Sequence, residues 1–254
     1  MKHPPTEEID RTLSRIAAAN AEGYGILLRR RDRLGDGWFP ASELAGDVAL
    51  PALLSRVRGM SGPPEDHIRA EWMLESLARA IADLAGSFLV SSRRLPDLSP
   101  ENVLLAAEGG LIRATGVLGP RMSVLPGDPA EGLEGVTVAE DWKQLADWFR
   151  AGFTGLMDPA VEWTDSNSLR PAKTLWQASA DRLAQSLIWS AEAFEDPAFA
   201  RDLTKHVIEG DERLRIPLET AEDDYDREYH LRATCCLAYR TPESGLCQAC
   251  PLNR

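Results

Sequence analysis

Apolar residues recur three and four positions apart through most of the chain, and that spacing predicts helix. Ile9, Leu13 and Ile16 mark a first helix, with Thr6 placed to cap it, Glu7 and Glu8 near the positive end of its dipole, and Ala21 to Gly25 ending it. The strongest pattern runs from Pro63 to about Ser91, where Ile68, Trp72, Leu77, Ile81, Leu84 and Phe88 form one apolar stripe. Helical periodicity resumes at Ala139 with Trp142, Leu145 and Phe149. It returns near Pro171 with Leu175, Leu183, Leu187 and Ile188, and again from Asp196 to Glu209. Trp148, Trp176 and Trp189 fall within these helices and read as core or groove side chains.

Between the helical stretches the pattern changes. Two short apolar runs, Asn102–Ala107 and Leu111–Thr115, flank Glu108-Gly109-Gly110 and predict a β-hairpin. Residues 116–135 are rich in Gly and Pro and read as a loop, or as a hinge between two subdomains. Arg29-Arg30-Arg31-Asp32-Arg33, leading into Gly35-Asp36-Gly37-Trp38, reads as a solvated face followed by a turn. The stretch 219–228 holds six carboxylates against one Arg and reads as a solvated tether rather than a metal site. These elements predict a mainly α fold with a small antiparallel β-hairpin or sheet (α+β). The expected division is a helical body over 1–228, subdivided near 116–138, and a C-terminal segment over 229–254.

Composition narrows the function classes. With 254 residues, 44% of them hydrophobic and 27% charged, the chain can build a sizeable core. A net charge of -12 disfavours binding to nucleic acid, which needs Lys and Arg to replace counterions. The first residues lack the charged-then-apolar order of a secretory signal, and no stretch approaches the ~18 apolar residues of a membrane span. The expectation is a cytoplasmic protein without a transmembrane segment. No phosphate-binding Gly-rich loop, dinucleotide fingerprint, zinc-protease helix or nucleophile elbow is present. The four His residues, His3, His67, His206 and His230, have no evident partner in the sequence and read as surface or satisfied structural side chains.

The four Cys are concentrated at one end: Cys235, Cys236, Cys247 and Cys250. In a reducing compartment such clustering points to a metal site before disulfides. Four thiolates complete a tetrahedral set for one Zn, or supply two pairs for the two irons of a 2Fe-2S cluster, and spacing alone leaves both open. A redox dithiol pair is a third reading. Adjacent Cys235 and Cys236 would face opposite ways in an extended strand, so the backbone must turn there.

The pattern Cys-Cys-x10-Cys-x2-Cys, with Tyr239-Arg240 after the Cys pair and Pro251-Leu252 after the last Cys, resembles the ferric-siderophore reductases of the FhuF type. The motif covers about residues 232–252. Chain length, the hairpin entry Pro100-Glu101-Asn102-Val103 and the helix from Arg182-Leu183 to Leu187-Ile188-Trp189-Ser190 look similar to the family's helical body. The resemblance implies a 2Fe-2S cluster held by Cys235, Cys236, Cys247 and Cys250 in a C-terminal loop packed on that body. It implies one-electron reduction of Fe(III) in a siderophore, of the hydroxamate class commonly associated with the family. Electrons would come from a donor protein such as a ferredoxin or flavin reductase, in the cytoplasm or peripherally at the inner face of the membrane. Residues 230–254 carry Arg232, Arg240 and Arg254 against Glu243, so this segment is positive within an acidic chain. Arg232 and Arg240 are candidates for tuning the cluster potential or docking an acidic partner. The rival reading is a zinc-stabilised, non-enzymatic binding module.

Overall fold

The computed structural model describes residues 5–21, 37–59, 62, 64–168, 170–242 and 244–253, without the side chains of 5, 6, 20 and 21. Its helices are α1 (Pro5–Ala21), α2 (Ala49–Arg56), α3 (Asp66–Ser92), α4 (Trp142–Asn167), α5 (Ala172–Phe194) and α6 (Pro197–Glu209). The strands are β1 (Trp38–Pro40), β2 (Arg94–Pro96), β3 (Val103–Glu108), β4 (Leu111–Val117), β5 (Met122–Val124), β6 (Val136–Val138), β7 (Thr220–Glu222) and β8 (Glu228–His230). The fold is therefore mainly α with small sheets, as the periodicity implies.

Helix α3 is the axis of the molecule. Its residues Ile68 to Ser91 are almost all buried, on every face, because α5, β4, α4, α1 and α2 surround it. A helix buried on every face belongs in a core, and its charged positions there must find partners. Helix α5 packs most extensively on α3, and Gly86 permits the approach: a Cβ there would lie 2.8 Å from Leu187 Cδ2. Helix α4 is capped by Asp141, which accepts from the N–H groups of Lys143 and Gln144, and α6 is capped by Asp196 ahead of Pro197.

The expected hairpin is β3–β4, with β1 added antiparallel on its other edge. Its turn is the pair Gly109-Gly110, with φ of 59° and 82°, the left-handed geometry that two-residue hairpin loops demand. Residues 116–135 are not wholly loop. β5 pairs antiparallel with β2 and parallel with β6, so the Gly- and Pro-rich segment is stitched to the end of α3.

Other expectations are corrected. Helix α1 already includes Pro5, so Thr6 lies inside it rather than capping it. The acidic stretch 219–228 is not a tether: β7 and β8 pair antiparallel around a turn in which Asp226 has φ 58° and Arg227 pairs with Asp223. Local ion pairing there relieves the charge that favoured solvation. The cationic run 29–33, the turn residues 35 and 36, His3, Glu243 and Arg254 lie outside the described residues. No helix among the described residues is long and apolar enough to cross a membrane.

Candidate functional site

Two helices present polar stripes to the Cys-bearing segment. On α3, Glu71, Glu75, Arg79 and Asp83 follow one another at i, i+4 spacing, and the three carboxylates are 0–3% exposed. On α5, Asp181 and Gln185 share a face with Trp189 at the same spacing. A buried carboxylate needs charged or hydrogen-bonded partners, and here most come from the C-terminal segment.

Asp181 is saturated. Its Oδ1 accepts from the Ala233 N–H at 2.8 Å and from His230 Nε2 at 2.9 Å, and its Oδ2 accepts from the Thr234 N–H at 3.0 Å and the Thr234 hydroxyl at 2.7 Å. Gln185 accepts from the His230 N–H at 2.9 Å. Glu75 takes Arg182 Nε at 2.9 Å from α5 and both terminal nitrogens of Arg232 from the segment. Burial works to raise the Glu75 pKa, but the charges of Arg182 and Arg232 hold it down to about 2. Glu71 has one cation, Arg170, at 2.8 and 3.2 Å. Burial, aided by the neighbouring charge of Glu75, pushes Glu71 up to about 7.

These contacts hold the backbone on which the thiols sit. Arg170 Nη2 donates to the Cys235 carbonyl at 3.2 Å, and Trp72 Nε1 donates to the Cys236 carbonyl at 3.0 Å. The chain bends at Ala233 and Thr234 and then enters the left-handed region at Leu237, φ 60°. The turn required by adjacent Cys residues is thus present, and it brings the Leu237 N–H to 3.4 Å from Cys235 Sγ. A second turn, closed by Cys250 N–H to the Cys247 carbonyl at 3.0 Å, carries the other two thiols. The Arg232 N–H donates to the Ala249 carbonyl at 3.1 Å and ties the two arms together.

All four thiols are free, and they lie near enough to act on one another: Cys236 and Cys250 both act on Cys235, and both act on Cys247. Among the described residues no group of three or more His, Cys, Asp or Glu side chains is disposed to hold a single ion. Four neighbouring thiols are the number that a two-iron cluster takes, two thiolates per iron. Burial raises the Cys235 thiol, opposed by the Leu237 N–H and supported by Cys236 and Cys250. Burial and the adjoining Cys236 push Cys247 up to about 11, against the nearby charge of Arg232. Assembly of a cluster on these thiols must therefore release protons.

The thiols differ in outlook. Cys236 and Cys247 border a cleft of about 750 Å³, together with Arg79, Arg182, Trp189 and Arg232. Cys236 also borders a cavity of about 290 Å³ that shares Arg79 and Arg182 and adds Trp72 and Arg113. Arg79 lies 4.5 Å above the Trp189 ring. Trp189 is therefore a groove side chain, whereas Trp176 is buried under Arg213.

The two arginine candidates separate. Arg232 is only 6% exposed, so it cannot dock a partner. Although burial works against its charge, Glu75, Cys236 and Asp181 hold its pKa above the ordinary value. Arg240 is exposed, paired with Glu65 at 3.1 Å and beside His67 at 3.2 Å. Each described His has a polar partner: His206 meets Asp147 at 2.8 Å, His230 meets Asp181, and His67 meets Glu65 and Arg240. Glu71, Glu75, Asp181, Arg170, Arg182 and Trp72 were not marked as site residues by the sequence. For Glu71 and Glu75 the one signal was an i, i+4 run of charges inside a helix that is otherwise largely apolar.

In comparison with known families, the model of the FhuF 2Fe-2S C-terminal domain matches residues 232–252. The chain thus carries a 2Fe-2S domain of that type over the segment that Asp181 and Glu75 hold. No curated protein matches the chain.

Proposed function

We propose that this protein is a ferric-siderophore reductase, passing single electrons to Fe(III) held by a chelator and releasing Fe(II) in the cytoplasm. The reading rests on one juxtaposition: two thiols of the FhuF-type 2Fe-2S segment border a cleft of about 750 Å³, large enough for a chelate. Cys235, Cys236, Cys247 and Cys250 would hold the cluster, with 229–254 as the cluster-binding segment. When bound, a 2Fe-2S cluster supplies one electron at a time.

The chain's own residues set the conditions. Asp181 and Glu75 fix the segment, and Arg170 and Trp72 fix the two carbonyls at the Cys pair. The cation of Arg232, beside Cys236 and Cys247, favours added negative charge and so raises the potential. Arg79, Arg182 and Trp189 wall the approach to Cys236 and Cys247. The substrate Fe(III) accepts one electron and becomes Fe(II). Hard oxygen chelators favour the ferric ion, so the complex loosens without any bond of the chelator being cut. A ferredoxin or flavin reductase would return the electron, and exposed Arg240 is the side chain we assign to its docking.

The test is an anaerobic preparation with iron and sulfide analysis, followed by stoichiometric reduction of a ferric chelate by the pre-reduced protein. About two irons and two sulfides per chain are expected, and about one Fe(II) released per reduced cluster. Colourless protein with one zinc and no sulfide would overturn the reading and favour a zinc-stabilised binding module.

A further inference from the structure

The two cavities meet at a shared wall of Arg79, Arg182 and Cys236, yet they differ in charge. The larger also carries Arg227 and Arg232, but Glu192, Asp223 and Glu228 line it as well, and Asp223 is already paired with Arg227. The smaller is lined by three arginines, Arg79, Arg113 and Arg182, against the single carboxylate Glu75. That carboxylate is shared by Arg182 and by buried Arg232, so it cannot neutralise both. Arg113 is exposed on β4 and makes no ion pair among the described residues. The charges of Arg182 and Arg113 both reach Arg79: burial first, and then these two cations, press its pKa down against the pull of Asp83. A positive focus therefore stands beside Cys236 in a protein of net charge -12.

Such a focus discriminates by ligand charge. Walls of low dielectric strengthen the field inside a cleft, and a polyanion gains from every arginine while a neutral ligand gains from none. The walls flanking Cys236 are also aromatic, with Trp72 on the smaller side and Trp189 on the larger. Resting on the reductase reading, we infer that the substrate class is the polyanionic all-oxygen ferric chelate, of the tris-catecholate kind. The neutral hydroxamate complexes that the family resemblance suggests are the poorer ligands. Arg113, Arg79 and Arg182 are the specificity-determining side chains, and the negative oxygens face the smaller cavity, away from the acidic turn at 223–228.

Binding can be separated from electron transfer with Ga(III), which has the charge of Fe(III) and is not reduced. Cluster-loaded protein is titrated calorimetrically with Ga(III) tris-catecholate, of charge -3, and with uncharged Ga(III) tris-acetohydroxamate. At low ionic strength the trianion is expected to bind at least about tenfold more tightly, and the ratio to shrink at high salt. Arg113→Gln, on an exposed strand position, should lower that ratio by about threefold to tenfold, and Arg113→Glu by more. Equal affinities for the two complexes, or a ratio untouched by both variants, would overturn the inference while leaving the reductase reading in place if ferric chelates are still reduced. Tight, Arg113-dependent binding of the trianion without any reduction of its Fe(III) counterpart would uphold the inference and overturn the reading.

Discussion

Replacing Asp181 with Asn tests whether one buried carboxylate holds the cluster segment to the helical body. The side chain keeps its shape, and both ends are fully engaged by donors from residues 230, 233 and 234. An amide must present its NH2 to one pair. Against Thr234, the hydroxyl can turn and accept, but the Thr234 N–H loses its acceptor. Against His230 and Ala233, the imidazole can change tautomer, but the Ala233 N–H loses its acceptor. Either way one inward-facing backbone N–H is orphaned, at about 1–3 kcal/mol. The surviving bonds lose their charge assistance, adding about 1 kcal/mol. The sum, about 2–4 kcal/mol, should lower the urea midpoint by about 1 M at a slope of 2–3 kcal/mol per M. The visible absorption of the cluster should bleach correspondingly faster. Asp202→Asn, on the exposed face of α6, serves as the control and should stay within about 0.5 kcal/mol. A midpoint within about 0.2 M of the parent, with unchanged cluster lifetime, would refute the assignment of Asp181 as the clamp.

Replacement of Cys247 by Ser should remove the visible absorption of the cluster, and normal reduction of a ferric chelate by that variant would sink the cluster-mediated mechanism. Arg240→Ala should leave the spectrum intact and raise the KM for the donor protein, checked by steady-state kinetics, because its side chain is exposed and, among the described residues, meets Glu65 and His67 rather than the thiols. Glu75 and Glu71 should impose opposite pH slopes. With Glu75 held down to about 2, its contribution is full above 4.5 and is lost as pH falls from 4.5 towards 2, so Glu75→Gln should flatten the acid limb of the urea-stability profile. With Glu71 raised to about 7, the folded state binds the extra proton between 4.5 and 7, so stability falls across that interval as pH rises, and Glu71→Gln should remove the fall. Gly110→Ala should cost about 2–4 kcal/mol by thermal or urea unfolding, since φ is 82° and the new Cβ would sit 2.3 Å from the Leu53 carbonyl oxygen.

What the sequence made legible follows from how local each signal was. Helices α3, α5 and α6 and the hairpin β3–β4 are marked by periodicity and by Gly109-Gly110, which depend on neighbours a few residues away. The turn after Cys236 follows from the steric conflict between adjacent thiols. Helix α2 and the pair β7–β8 were invisible because one is short and the other is two three-residue strands in an acidic stretch, closed by a turn in which Arg227 pairs with Asp223. Arg232 reads as a surface cation until Glu75, 157 residues away, is seen to bury it. Trp72 and Cys236 lie 164 residues apart, and no local pattern encodes such a contact. The Cys quartet stood out as a candidate donor set because its members are close in sequence, while the contacts that hold its backbone come from scattered polar positions of α3 and α5.

The clamp also bears on portability. A segment as short as 229–254 invites use as a cassette, to be grafted onto another scaffold or deleted from this one. Among the described residues the segment supplies the hydrogen-bond donors to Asp181 and one of the two cations on Glu75. Excising it would strand buried carboxylates in the two central helices. Transplanting it would leave His230 and Arg232 without the acids that orient them. The 2Fe-2S segment and the helical body thus share one buried polar face, and engineering either requires redesigning that face.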